Sequence, residues 1–408
     1  MRCLWLTWIE PTPEHDGQRI YSGRLIDAVA SAGAEVDVLC FARDAAASRT
    51  RNCCTNNTVR WSLVQQQERA PWQSFFSHLP HIAHRSGTHA MKRRFAELLA
   101  ERHWDSVVMD GLYTGWALPL IDARSRPSRL PTRHIYISHN HEETTRALVA
   151  SNYDGGLFRG AAVIRDAQKA ARLERRMVDR ADFVTAVTRE DAERFAARRP
   201  EKPVLVISPG YAGRRLGARQ IDDGVPRRAL LVGSFEWLAK QMNLKEFLAI
   251  ADPVFAAAGL ELQVVGNGER AFFDSLRPGL KSTEIVGPVE DIGPYLDRAR
   301  VAIIPERSGG GFKLKILDYV FNRLPVAALE QSIAGIPLQP HRSILTFPRY
   351  EELARGVVNV IDDFNLLNGL QEQAFAACAG AFDWQKRGQR LLSALAGYPA
   401  HGVATEPV

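Results

Sequence analysis

Cysteine is scarce: five residues in 408, at Cys3, Cys40, Cys53, Cys54 and Cys378. Five thiols cannot all pair, and none stands in a Cys-x-x-Cys or Cys/His ligand spacing. A disulfide framework and a structural zinc are therefore excluded as the basis of the fold. No run of about 20 apolar residues occurs, and the opening MRCLWLTWIEPTPEHDG lacks the basic start and apolar length of a secretory signal. This predicts a chain that stays in the cytosol, at most resting against a membrane. Also missing are a Lys/Arg tail, an Asp-x-Asp pair, a metal-suited His spacing and a Gly-x-Ser-x-Gly elbow. These absences argue against nucleic-acid binding, metal-assisted chemistry and a serine nucleophile. No period of 20–50 residues repeats, which removes a solenoid.

What is present is an ordinary globular composition, 46% hydrophobic and 24% charged, with 30 Gly and 22 Pro. The length suits two domains, each with its own core. The net charge of +6 sits in the first half, where residues 1–200 hold 29 Lys/Arg against 23 Asp/Glu and the remainder balances. Such an excess fits an anionic membrane surface as well as plain solubility.

Short β-branched runs alternate with longer amphipathic stretches, the pattern of βαβ units and a parallel sheet. In the first half the expected strands are Cys3–Thr7, Glu35–Cys40, Val59–Val64, Ser106–Met109, His134–Ile137, Phe183–Val187 and Val204–Ile207. Helical periodicity marks Arg19–Ala32, Met91–Arg102, Ala162–Val178 and Arg189–Ala197. The pattern lapses in SPGYAGRRLGARQIDDGVPRR, so residues 208–228 read as a linker between a domain over 1–207 and one over 229–383. In the second domain, strands are expected at Ala229–Val232, Leu262–Val265, Glu284–Val286, Val301–Ile304, Pro325–Ala328 and Ile344–Phe347. A closing helix over 384–397 and a disordered tail over 398–408 complete the layout. The fold class is α/β, with two doubly wound domains whose strand ends would face each other across a cleft.

PERSGGGFKLKILDYVFNRLPVAA, residues 305–328, is the most informative segment. A strand ends, Gly309, Gly310 and Gly311 follow, and a helix is expected to open near Phe312 and run to about Asn322. Glycines at a helix start let backbone N–H groups approach a phosphate. Lys313 and Lys315 add cations, and Asp318, farther down the helix, suits ribose hydroxyls. The Gly-Asn-Gly at 266–268 is no dehydrogenase fingerprint, because the third glycine and the downstream acid are missing. Glu306 reads as capping the turn rather than binding sugar.

This segment resembles the donor-binding signature of the GT-B glycosyltransferases, in particular family 4 and related exopolysaccharide enzymes. That signature runs from a glycine-rich turn through a basic residue, a lysine and an acid to a small-Pro-Val strand. Gly310 stands where many members carry the first of two glutamates, Asp318 takes the place of the second, and Asn322–Arg323 replace the small-residue turn. VGSFEW with Lys240 and Asn243 is similar to the loop that contacts the donor pyrophosphate, which implies roles for Gly233, Ser234 and Lys240 beside Gly309–Gly311, Phe312, Lys313, Lys315 and Asp318. More loosely, the opening segment is similar to a cleft-facing loop, placing Gly17, Gln18 and Arg19 near the reacting sugar.

ISHNHEE resembles a strand end whose histidine, His139, faces the donor sugar, with Glu142 beside it. Asp110 and Tyr113 follow another strand and suit either the acceptor side or a loop. The resemblance implies two Rossmann-like domains and transfer of a sugar from a UDP- or GDP-sugar to a hydroxyl acceptor: a glycan, a lipid-linked intermediate or a small molecule. It further implies retention of configuration, with no metal and no cofactor beyond the donor. A sugar-nucleotide epimerase of the same fold and a non-catalytic nucleotide- or glycan-binding scaffold are the alternatives. PWQSFFSHLPHIAHR, residues 71–85, mixes aromatics with His and Arg. It reads either as a lipid-interface stretch or as a loop packing its aromatics onto the core.

Overall fold

The computed structural model describes residues 1–11, 17–43, 59–67, 69–124, 132–153, 155–307 and 311–397, with the backbone of Val403–Ala404. It divides into two compact units, one of Met1–Gly210 plus the segment that starts at Asp383, the other of Tyr211–Phe382.

In the first unit β1 (Arg2–Ile9), β2 (Glu35–Ala42), β3 (Val59–Gln65), β4 (Ser106–Asp110), β5 (Arg133–Ser138), β6 (Phe183–Ala186) and β7 (Val204–Val206) lie in the order β7-β6-β5-β4-β1-β2-β3. In the second, β8 (Arg228–Val232), β9 (Glu261–Val265), β10 (Thr283–Gly287), β11 (Val301–Ile304), β12 (Val326–Leu329) and β13 (Leu345–Phe347) lie in the order β10-β9-β8-β11-β12-β13. Every pairing is parallel. All the expected strands form, with ends moved by at most two residues. Pro325 lies just outside β12, where it needs no N–H, and its carbonyl accepts from Ala302 at 2.8 Å.

The central strands are mostly apolar because helices cover both faces: β4, β11 and β12 are buried at every position. The helices bury one stripe each, as in Tyr350–Val360, where Tyr350, Leu353, Ala354 and Val357 face inward. Gly33, at φ 110°, ends the helix Gly17–Ser31 in a conformation that suits glycine. Each sheet reverses direction once, between β1 and β4 in the first and between β8 and β11 in the second. In open parallel sheets the crevice beyond the strand ends at such a reversal is the natural ligand site.

Between the units the stretch read as a linker is ordered from Tyr211 onward along the second unit. The Leu216 N–H donates to the Phe321 carbonyl at 2.8 Å, and the Ile221 N–H to Asn368 at 2.9 Å. The helix Trp384–Ala396 is N-capped by Asp383 and packs on Gly17–Ser31. Gly388 allows this close approach, since a Cβ there would lie 2.2 Å from the Ala28 carbonyl oxygen. The tail expected to be disordered lies outside the described residues except Val403–Ala404, which form a short strand, β14, parallel to β7.

Candidate active site

The loop beyond β8 carries Gly233 and Ser234. The Gly233 N–H donates to the Val265 carbonyl at 2.9 Å, and the Gly266 N–H to the Gly287 carbonyl at 2.7 Å, so the ends of β8, β9 and β10 are stitched together. Gly266 has φ 136°, and a Cβ on it would sit 1.7 Å from the Gly233 carbonyl oxygen. Only glycine allows these two backbones to meet.

Beyond β11 comes Glu306. Its backbone carbonyl accepts from the Ser332 hydroxyl at 2.8 Å, and its carboxylate pairs with Lys315, both side chains being largely buried. Burial pushes this carboxyl up, but the charges of Lys315, Lys313 and Lys240 outweigh it and hold the group below the usual carboxylate range. Oε2 is buried without a hydrogen-bond partner among the described residues. Lys315 thus pairs with a buried carboxylate at the reversal of the second sheet, and the charges of Lys313 and Lys240 act on the same group. Lys240 lies in the first turn of the helix Leu238–Ala257. One turn farther along that helix, Asn243 accepts the Arg307 N–H at 3.0 Å and fixes the loop that follows Glu306.

Gly309 and Gly310 lie outside the described residues. Gly311 has φ 72°. The helix expected to open near Phe312 instead begins at Lys315 and ends at Phe321. Ile316 and Leu317 donate at 2.9 Å to the carbonyls of Lys313 and Leu314, a tight turn that leads into this helix. Phe312 and Lys313 therefore precede the helix instead of opening it. Asp318 faces the Tyr211 hydroxyl, and burial raises its carboxyl to about 6 while that hydroxyl opposes the rise.

In the first unit, strand ends bring together residues far apart in sequence. Asp110, the last residue of β4, is fully buried; its Oδ1 lies 2.6 Å from His139 Nε2 and its Oδ2 accepts Trp5 Nε1–H at 3.0 Å. A carboxylate accepts, so with Nε2–H as the donor in this contact Nδ1 is the other polar atom of the ring. Tyr21 packs edge-on to His139 with ring centroids 5.3 Å apart and donates to the Ile207 carbonyl at 2.7 Å. Tyr113 lies beside them, its hydroxyl 3.3 Å from Thr7 Oγ1 and against Gln18. Burial, followed by the charge of Asp110, keeps that phenol well above its ordinary value.

Of the residues expected near the sugar, Gln18, Tyr113 and His139 come together, and Gly17 and Arg19 share the first turn with Gln18. Glu142 does not join them: its carboxylate is held by Arg146 at 2.6 Å. By sequence Asp110 suits either acceptor lining or a loop and Glu306 a turn cap, whereas in the structure Asp110 holds His139 and Glu306 pairs with Lys315. The signal for Asp110 was its place at a strand end before Gly111, which has φ 89°; Glu306 gave none that distinguishes a cap from a counter-ion.

Residues 16–210 match the family model of the glycosyl transferase 4-like domain, and residues 226–363 that of the glycosyl transferases group 1. The chain belongs to the GT-B glycosyltransferases, enzymes built from two such units. Among solved structures it is similar to sucrose-phosphate synthase from Thermosynechococcus elongatus, with 16% identity and a TM-score of 0.70 over 97% of this chain and 98% of that one. HepE of Anabaena, solved in complex with UDP-glucose, gives 14%, 0.64, 98% and 100% on the same measures. WaaG, a glycosyltransferase involved in lipopolysaccharide biosynthesis, gives 16%, 0.63, 97% and 100%. At such identities these likenesses concern the fold. Comparison with curated proteins gives no match.

Proposed function

We propose that the protein transfers a sugar from a nucleoside diphosphate donor, a UDP- or GDP-sugar, to a hydroxyl acceptor, with retention of configuration and without a metal ion. The observation that carries this reading is the convergence of Lys240, Lys313 and Lys315 on one buried carboxylate at the sheet reversal. As the bond to the sugar stretches, negative charge grows on the leaving β-phosphate. Cations fixed where that charge grows stabilise it more than they stabilise the ground state. Lys315 can serve both Glu306 and a phosphate, because an ammonium has three protons. The backbone at Gly233–Ser234 and the glycine turn would let the diphosphate approach closely, and Asp318 is assigned to the ribose.

His139 is assigned to the donor sugar, with Nδ1 accepting from a sugar hydroxyl and Asp110 fixing the tautomer. A ring so held orients the sugar, and the acceptor proton passes to a phosphate oxygen of the leaving group. Gln18 and Tyr113 extend the polar surface beside His139 and are assigned, with Gly17 and Arg19, to the sugar and acceptor.

The test is a thermal-shift panel of UDP, GDP, dTDP and CDP, followed by turnover with the matching nucleotide sugar in excess chelator. One diphosphate should raise the melting temperature by mass action, and chelator should leave turnover unchanged. Conversion of the donor to an isomer with no acceptor present would overturn the transferase reading. Loss of activity in chelator, restored by a divalent cation, would overturn metal independence.

A further inference from the structure

The aromatic stretch 71–85 splits. Leu79 reaches the core, whereas Trp72, Phe75 and Phe76 on the short helix Pro71–Phe76 are 60%, 46% and 87% exposed. Hydrogen bonds tie this short helix to the protein. Lys169, buried on the helix Leu157–Arg180, donates to the Ser74 carbonyl at 2.7 Å, and Ser74 Oγ donates to the Pro71 carbonyl at 2.8 Å. Trp72 and Phe76 meet edge-on with centroids 6.3 Å apart.

The same long helix exposes Leu157 and Phe158 at 90% and 95%, with Ile164 at 49%. Phe158, Arg165 and Arg172 recur every seven residues and so share one helix face, with Arg176 one turn beyond. Phe75, Phe76, Arg165, Arg172 and Arg176 line a shallow cavity of ≈ 530 Å³. Among the described residues none of these three arginines has an acidic partner. The acids of the helix are turned elsewhere: Asp166 accepts the His81 N–H and pairs with Arg146, Glu174 is buried, and Asp179 pairs with Arg199.

We propose that this face is a docking surface for an anionic lipid bilayer. Exposed aromatic and aliphatic side chains set beside unpaired arginines match the two layers of such a surface, apolar chains below and phosphate headgroups above. The arginines draw the protein in over about a Debye length, and Trp72, Phe76, Leu157 and Phe158 enter the interface. A second copy of the chain is a poor occupant, because it would set arginines against arginines. Donor binding plays no part in this surface, so a melting temperature equal to that of the wild type serves as a folding control for every variant.

The experiment is flotation of the full chain with vesicles of phosphatidylcholine alone or mixed with phosphatidylglycerol. Binding to the anionic vesicles at low salt should exceed binding to the neutral ones by at least about tenfold and fall steeply as salt is added. The variants W72S/F76S and R165E/R172E/R176E should each lower it about tenfold while the melting temperature is kept. No binding to anionic vesicles, equal binding to neutral ones, or variants that bind like the wild type would each overturn the proposal. So would light scattering showing that Trp72 and Phe76 hold two copies together in place of lipid.

Discussion

Lys315 and Glu306 form a largely buried ion pair, and such a pair is more costly to break than it is valuable to keep. Lys315→Ala strands a carboxylate and should lower stability by about 3 kcal/mol in urea unfolding. A double change, Lys315→Met with Glu306→Leu, should recover most of that loss yet still bind UDP poorly, separating the structural role of the lysine from its role at the phosphate. At the other residue pair, Asp110→Asn offers an amide to His139 Nε2, so the ring no longer needs its proton there and Nδ1 can become the donor. The expected result is a fall in kcat of about tenfold or more, the worth of one good hydrogen bond to a reacting group, with UDP affinity unchanged. An equal loss of UDP affinity would remove the assignment of His139 to the sugar.

Elements in this protein are joined at points that depend on single side chains or their absence. Glu174, on Leu157–Arg180, caps another helix by accepting the N–H groups of Glu142 and Glu143 at 3.0 and 2.8 Å. Burial, then the charge of Glu142, pushes its carboxyl up to about 8. A carboxyl raised in the folded state binds its proton more tightly there than when unfolded. Its contribution is complete below about pH 4.5 and is lost as pH rises to about 8. Urea midpoints taken across that window should decline for the wild type and flatten in Glu174→Gln. Gly266→Ala would drive a methyl into the Gly233 carbonyl and require a φ that side chains avoid, so a loss of about 2 kcal/mol or more is expected. A normal melting temperature would mean that the loop yields.

Arg323 shows the opposite case at the end of the helix Lys315–Phe321, a non-glycine residue with φ 52°. Its guanidinium donates to the carbonyls of Leu216 and Gly217 and lies 4.0 Å from the centre of the Phe375 ring. These contacts offset the strain and explain how Asn322–Arg323 can replace a small-residue turn.

For the molecule as a whole, each unit combines one parallel sheet, one reversal and one polar cluster at that reversal. The chain finishes the first unit last: Trp384–Ala396 returns to it, Trp384 meets Tyr21 at 5.8 Å between ring centroids, and Gly388 touches Ala28. Gly388→Val should push this helix off Gly17–Ser31 and lower stability by about 1–3 kcal/mol, as overpacking does. Gly17, Gln18 and Arg19, assigned to the sugar and acceptor, stand on Gly17–Ser31, so turnover should fall with it while binding of the nucleoside diphosphate, assigned to the second unit, persists.

The sequence by itself determined the strands, their order along the chain and the class of fold, because a buried parallel strand needs an unbroken apolar run and a helix needs a repeating stripe. Both are local patterns. It also marked His139, Lys313 and Lys315, which sit in recognisable settings. Only the tertiary structure decided that Asp110 holds His139 across 29 positions and that Glu306 gathers Lys240, Lys313 and Lys315. It alone moved the helix start to Lys315 and left Trp72 and Phe76 outside the core. The physical reason is that charge pairing and exposure depend on which distant strands and helices become neighbours. Periodicity along the chain carries no record of that choice.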